Sequence, residues 1–513
     1  MENLLTRLGF SFFLYFFISF DISLSFSPVD NYLVNSGAFL DSTVDNRRFV
    51  SDSSGSTHAH LSSPQSFSLC AGTLLPTLPP IYHTARVFKA PSKYVFDVKD
   101  PGTHMVRLHF HRFSSPNLNL VDSRFHVLVN GLVALTNFSG GNSLGPRVIE
   151  YLLCVHSEKL EITFVPDGES NFAFVNAIEV ISAPRDLIPE IAQSLNGDKV
   201  ENFEGLNQQA FEVVHRVTVG GAKVTPFNDS LWRTWLPDDD YLKLSEGSTR
   251  VYFSGKIKYQ EGAASRQVGP DNVYDSARLI ESKNASIPNV NLSWEFPVIE
   301  DYKYLVRLHF CDIASVSLGL LFFNVYVNGH LAYKDLDPSA VTNYLLASPF
   351  YLDFVVDADR SGIVSVAVGP SNKSMAYAVD AILNGVEIMK MNNLMGSFDG
   401  KLPAELVMKG SPRRSVDFLL PLIALVCLLL SLSVFMRRRM DKVDSVTWSK
   451  LPMDVPETTP KQGKQQLSSK VSKMRDQNSI GQQVEGIVSM GQEPWSPAPL
   501  SVADLGGVII CGV

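Results

Sequence analysis

"VRLHFHRF" at Val106–Phe113 and "VRLHFCDI" at Val306–Ile313 share their first five residues across two hundred positions. Their neighbours repeat in the same order. "PIYHTARVF" (Pro80–Phe88) answers "NVYDSARLI" (Asn272–Ile280), and "FHVLVNG" (Phe125–Gly131) answers "FNVYVNG" (Phe323–Gly329). "FAFVNAIEVIS" (Phe172–Ser182) resembles "MAYAVDAILNGVEI" (Met375–Ile388). A unit of about 160 residues is too long for a solenoid repeat, so the pattern is that of a duplicated domain.

The duplicated unit reads as β-structure. Val106, Leu108 and Phe110 alternate with Arg107, His109 and His111, and Phe125, Val127 and Val129 fall on one face before the Asn130-Gly131 turn. Period-two patterns bounded by such turns predict antiparallel strands with one apolar face. Two sheets packed face to face would bury the apolar sets. The opposite face, with Arg107, His109, Arg307 and His309, reads as solvated. The expected fold class is therefore all-β: two tandem antiparallel β-sandwich domains, one transmembrane helix and a disordered cytoplasmic tail.

Two apolar runs frame this region. Leu8–Phe20 follows Arg7 and has the length of a signal-peptide core, too short to span a bilayer. Phe418–Met436 carries no charge and is long enough to cross, and Arg437–Arg439 follow it, as expected on a cytoplasmic side. Asn-x-Ser/Thr acceptors fall at Asn137, Asn228, Asn284, Asn291 and Asn372, all in the region predicted to lie outside the cell. The expected organisation is a signal peptide (1–25), a first β domain (26–185), a linker and second β domain (186–390), and an extracellular stalk (391–416). A transmembrane helix (417–436) and a tail (437–513) complete it. The stalk reading rests on Gly396, Gly400, Pro403, Gly410 and Pro412. Of the five cysteines, Cys70, Cys154 and Cys311 lie outside, allowing one disulfide whose pairing the sequence leaves open.

The net charge of −8 argues against nucleic acid as a partner. Residues 1–25 carry −1 and the tail +2, which leaves −9 between them. An acidic exterior steers cationic ligands better than polyanions. His58, His60, His109 and His111 lack carboxylate or cysteine companions at ligand spacing, so no metal or other cofactor is expected.

"YLVNSG" (Tyr32–Gly37), "DNRRFVSD" (Asp45–Asp52), "VHRVTVGGAKVTPFNDSLWRTWLPDD" (Val214–Asp239) and "VTWSKLP" beyond the second apolar run resemble the plant malectin-like receptor kinases, the Feronia and Theseus group. The resemblance runs from Tyr32 to about Pro452. It implies malectin-like domains, a single-pass plasma-membrane protein with its N-terminus outside, and partners of two kinds. These are secreted basic peptides of the rapid alkalinization factor type and lipid-anchored coreceptors. Wall pectin is a further ligand class of the group. Ser36 stands where the family usually has cysteine. Only 77 residues follow Met436, and they carry no glycine-rich phosphate loop, Val-Ala-x-Lys, His-Arg-Asp or Asp-Phe-Gly, so no kinase activity is expected from this chain.

A Tyr-x-Thr-x-Arg stretch in animal malectin, which binds glucose-containing oligosaccharides, resembles Tyr82, Thr84 and Arg86, and again Tyr274, Ser276 and Arg278. The resemblance makes Tyr82, Arg86, Tyr274 and Arg278 candidates for carbohydrate binding. The competing reading is that each Tyr–Arg pair is structural. The expected function is a non-catalytic cell-surface receptor-like protein that binds an extracellular peptide or cell-wall carbohydrate. One alternative is that the sequence is an incomplete form of a malectin-like receptor serine/threonine kinase. Another is an accessory module of a carbohydrate-active enzyme, for which the acidic run Asp238–Asp240 would have to supply paired carboxylates.

Overall fold

The structure is a computed structural model that describes residues 26–440, except 54–58, 140–144, 169–170, 198, 245–246, 281–290, 359, 375–379 and 410–415. The expected signal peptide, His58, Asn284 and the tail beyond 440 lie outside the described residues.

A 13-stranded sheet runs through residues 31–391. In chain order its strands are β1 (Asn31–Asn35), β2 (Ser42–Val44), β3 (Arg47–Ser51), β4 (Gly102–Phe110), β5 (Arg147–Val155), β6 (Ala177–Ser182) and β7 (Ile191–Asn196). They continue with β8 (Lys199–Glu204), β9 (Phe211–Thr218), β10 (Leu236–Pro237), β11 (Lys303–Cys311), β12 (Pro349–Asp357) and β13 (Gly385–Met391). Their spatial order is β8-β7-β12-β11-β13-β9-β5-β4-β6-β1-β3-β2, with β10 beside β9.

Both copies of the repeat make the same pairings. β4 lies between β5 and β6, as β11 lies between β12 and β13, all antiparallel. In the first half a five-stranded sheet is ordered 132–138, 125–129, 159–166, 92–97, 59–62; in the second the order is 330–336, 323–327, 363–370, 292–297, 242–244. Each half has its own apolar core. Val106, Leu108 and Phe110 pack with Tyr94, Phe125 and Phe164, while Val306, Leu308 and Phe310 pack with Trp294, Phe323 and Val366. Burying each such side chain stabilises the fold by about 1.5–3 kcal/mol.

The copies also share a backbone requirement. Gly37 follows β1 and Gly220 follows β9, at φ +73° and +74°. A Cβ would stand 2.1 Å from the Ala85 carbonyl oxygen at Gly37 and 2.3 Å from that of Ala277 at Gly220. Glycine alone fits such a left-handed, crowded position.

Residues 391–409 are not a free stalk. The backbone of Val133 bonds Gly396 and Phe398, Asp399 accepts from the Thr136 amide at 2.8 Å, and Phe398 is buried against Tyr151. Val407, on the short helix Ala404–Lys409, packs with Leu128, Val133 and Val165. Of the glycines that suggested a spacer, Gly396 and Gly400 form turns, with φ +68° and +80°, and Gly410 lies outside the described residues.

A helix, Val416–Met440, belongs to a separate compact unit. Its side chains are described only over 423–439, and among the described residues no helix is long and apolar enough to cross a membrane.

Candidate functional site

The face of the central sheet expected to be wet is buried. Arg107, His109, Arg307 and His309 are all shielded from solvent. The segment 219–237 covers Arg107 and His309, while Leu187 and Tyr351 cover Arg307. The Leu231 carbonyl accepts from Arg107 at 2.7 Å, Trp232 stacks on the Arg47 guanidinium at 4.4 Å, and Trp235 sits edge-on to His309. This cover is itself anchored by Asp229, which accepts from Arg233 and from the Trp235 indole.

Buried charges cannot remain unpaired, and these form a ladder. Arg47 meets Glu179 at 2.6 Å, Glu179 meets Arg107 at 2.9 Å, and Arg107 meets Glu150 at 2.6 Å. Glu150 then meets Arg216 at 2.8 Å, and Arg216 meets Glu387 at 2.7 Å. Strand register dictates the sequence of pairs, since Arg107 lies opposite both Glu150 and Glu179, and Arg216 opposite Glu387. The ladder therefore crosses from the first half to the second through β9. Arg307 lies opposite Glu387 and Asp353 and holds Asp353 with two hydrogen bonds of 2.8 and 2.7 Å.

Burial alone would raise the Glu150 carboxyl, but Arg216 and Arg107 hold it down at about 2. Glu179 and Glu387 are likewise held well below the ordinary carboxylate range by their arginines and histidines, against the upward push of burial. Arg47 differs, because burial lowers it by more than Glu179 restores. Its Nε is buried without a hydrogen-bond partner among the described residues.

On each half, one carboxylate also orders a histidine and a tyrosine. Tyr82 meets His109 Nδ1 at 2.9 Å, and His109 Nε2 meets Glu179 at 2.9 Å. Tyr274 meets His309 Nδ1 at 2.9 Å, and His309 Nε2 meets Glu387 at 3.1 Å. Both nitrogens of each histidine are occupied, so each imidazole holds its tyrosine in place.

The two lines differ in what lies over them. A cleft of about 690 Å³ opens over the first, lined among others by Tyr82, His109, Glu179, Trp232 and Tyr241, with Asp45 and Lys223 exposed at its edge. The second contributes nothing to that cleft and lies under Trp235, Tyr351 and Tyr259. A cavity of this size suits a small ligand or a few residues of a peptide.

The four residues singled out from the sequence are split apart. Tyr82 and Tyr274 are buried against their histidines. Arg86 instead binds Asp52 at 2.6 and 2.9 Å, and Arg278 binds Asp238 at 2.5 Å and Asp239 at 2.9 Å. Of the four, only Tyr82 borders the cleft. Spacing misled here because Tyr82 lies in the 3-10 turn Pro80–Tyr82, whereas Arg86 lies in the strand Thr84–Phe88. Asp238 is a buried acceptor for Arg278, the Trp294 indole and the Gly220 amide, which accounts for the start of the acidic run. Glu150, Glu179, Arg216 and Glu387 escaped sequence reasoning. The signal that could have found them was charge on strands paired in register with "VRLHF".

Asn137, Asn228 and Asn372 are exposed and Asn291 is half-buried. Cys70, Cys154 and Cys311 stand as free thiols, exposed, half-buried and buried respectively.

Comparison with known proteins identifies this architecture. The probable receptor-like protein kinase At5g24010 of Arabidopsis thaliana is 42% identical over 411 residues, covering 79% of this chain and 50% of that protein. The receptor-like protein kinase THESEUS 1 of the same plant is 37% identical over 392 residues, covering 76% of this chain and 45% of that protein. The chain thus spans about half the length of the curated relatives it matches. A chain in the crystal structure of plant peptide RALF23 in complex with FER and LLG2 is 31% identical with a TM-score of 0.63, covering 74% of this chain and all of that one. The Malectin-like domain profile matches residues 35–391, and the chain belongs to the malectin-like family of the receptor-like kinases.

Proposed function

We propose that this protein is a single-pass cell-surface receptor-like protein whose two malectin-like domains receive an extracellular peptide together with a coreceptor. The observation that carries the reading is the likeness of 74% of this chain to a chain solved with a plant peptide and a second protein. Phe418–Met436 would anchor it, Leu8–Phe20 would direct its secretion, and the exposed acceptors Asn137, Asn228 and Asn372 would carry glycans on the outer side. The net charge of −9 over residues 26–436 favours a basic peptide. Residues 437–513 would transfer no phosphate, so output would pass through partners. A second reading, that the chain is the outer half of a receptor kinase, is favoured by relatives of which it matches only 50% and 45%. Full-length transcript sequencing separates the two, because an in-frame kinase exon would establish the second.

The direct test is to capture the full chain in nanodiscs and titrate it with basic secreted peptides, with and without a lipid-anchored coreceptor. Saturable binding that tightens with the coreceptor is expected. No binding to any basic peptide, with or without the coreceptor, would sink the proposal.

A further inference from the structure

The sheet edge that residues 396–399 occupy in the first half has a counterpart in the second half that stands open. Strands Leu132–Phe138 and His330–Leu336 lie at the same end of their five-stranded sheets, and each follows an Asn-Gly turn. Their pairing repeats: Val133 lies opposite Leu128 as Leu331 lies opposite Tyr326, with register breaks at matching places. In the first half the Val133 amide donates to the Gly396 carbonyl, and the Val133 carbonyl accepts from the Phe398 amide, both at 2.9 Å. Val133 and Ser397 thus form a parallel bridge, and Val407 packs over Leu128 and Val133. Matching register turns the Leu331 amide and carbonyl outward in the same way, and among the described residues no segment bonds to them. Val133 is fully buried, whereas Leu331 is 36% exposed.

The occupied edge says what the open one would take. An unpaired edge is a template for a further strand, and extended peptides bind by supplying one. In the first half that strand is parallel, brings apolar cover to Leu128 and Val133, and ends on Asp399, which accepts from the Thr136 amide. In the second half Lys334, exposed, stands in the place of Thr136. An acidic side chain there would meet a cation as well as an amide. The chain's own segment is committed to the first half, and a lysine on an edge keeps like edges apart, which disfavours a second copy.

We propose that the strand His330–Leu336 receives, by parallel strand addition, an extended segment of a partner protein that lays an apolar side chain on Tyr326 and Leu331 and an acidic one beside Lys334. No residue of this strand lines the cleft, so the site is separate from it and does not depend on what binds there.

The probe is a synthetic peptide copying Asn392–Gly400, "NNLMGSFDG", blocked at both ends and added to the full chain in nanodiscs. Amide hydrogen exchange should show saturable protection of residues 330–336. Leu331→Pro removes only an outward amide, which an edge strand tolerates, so Tm should hold while affinity falls by about three- to tenfold. Lys334→Glu should weaken the native peptide by about threefold and favour the same peptide carrying Asp399→Lys. Should Leu331→Pro fail to fold, the Lys334 variant decides alone. Protection confined to 132–138, or none at saturating peptide, would overturn the proposal. Equal binding of the Asp399→Lys peptide to the unaltered chain would overturn the acidic assignment. Protection of 330–336 without peptide, in a chain that sediments as a dimer, would give the edge to a second copy instead.

Discussion

Tyr82–His109–Glu179 and Tyr274–His309–Glu387 are the same device built twice, and only the first borders open space. Relative exposures are 7%, 6% and 3% in the first line, against 0%, 0% and 1% in the second. Duplication preserved the bonds, while the cover diverged. In the second half Trp235, Tyr259 and Tyr351 close over the histidine and tyrosine, whereas in the first Phe49 and His111 lie edge-on to His109 and Tyr82, Trp232 packs beside them, and the cleft stays open. A repeated residue is thus evidence of a repeated structural task. Where a ligand can enter depends on the segment laid over it, which need not repeat.

The severest way to break the comparison is to cut the link between the halves. Arg216 bonds Glu150 on one side and Glu387 on the other, so Arg216→Met leaves two buried carboxylates short of a partner. Removing one partner from a buried ion pair costs about 3–5 kcal/mol. Calorimetry should show a large fall in Tm, and a change equivalent to under about 1 kcal/mol would show that the ladder does not bind the halves together.

The pH dependence sharpens the same point. Glu150 is held at about 2 when folded, against 4.5 as its ordinary value, so the folded state binds fewer protons than the unfolded one across that window. Its contribution is present above pH 4.5 and is lost as the pH falls towards 2, by about 3 kcal/mol. Chemical denaturation at stepped pH should show this acid limb, and Glu150→Gln should flatten it. An unchanged limb in the variant would mean that other carboxylates carry the loss.

The smallest effect separates the two lines directly. Tyr274→Phe strands the nitrogen of a sealed histidine and should cost about 1–3 kcal/mol. Tyr82→Phe borders the cleft, where water can take over the bond, and should cost about 0.5–1.5 kcal/mol. Equal losses in paired denaturation curves would refute the distinction between open and sealed.

The repeat and the strands were legible because side-chain alternation is written locally. Val106, Leu108 and Phe110 fell on the core face as expected. Their neighbours were misread because the cover over Arg107 comes from Leu231, more than a hundred residues on, and period two cannot report a distant lid. For the same reason, glycines and prolines after Met391 read as a spacer. Their attachment to Val133 and Thr136 is a long-range contact with no local trace.

The single continuous sheet has a consequence for how the protein comes into being. β9 is paired on one side by β5, already made, and on the other by β13, which begins at Gly385. Roughly 170 residues must be synthesised in between, about 10–30 s at ordinary elongation rates. During that interval one long edge of β9 offers unpaired amides and carbonyls to any passing strand, which makes it the vulnerable point of the nascent chain.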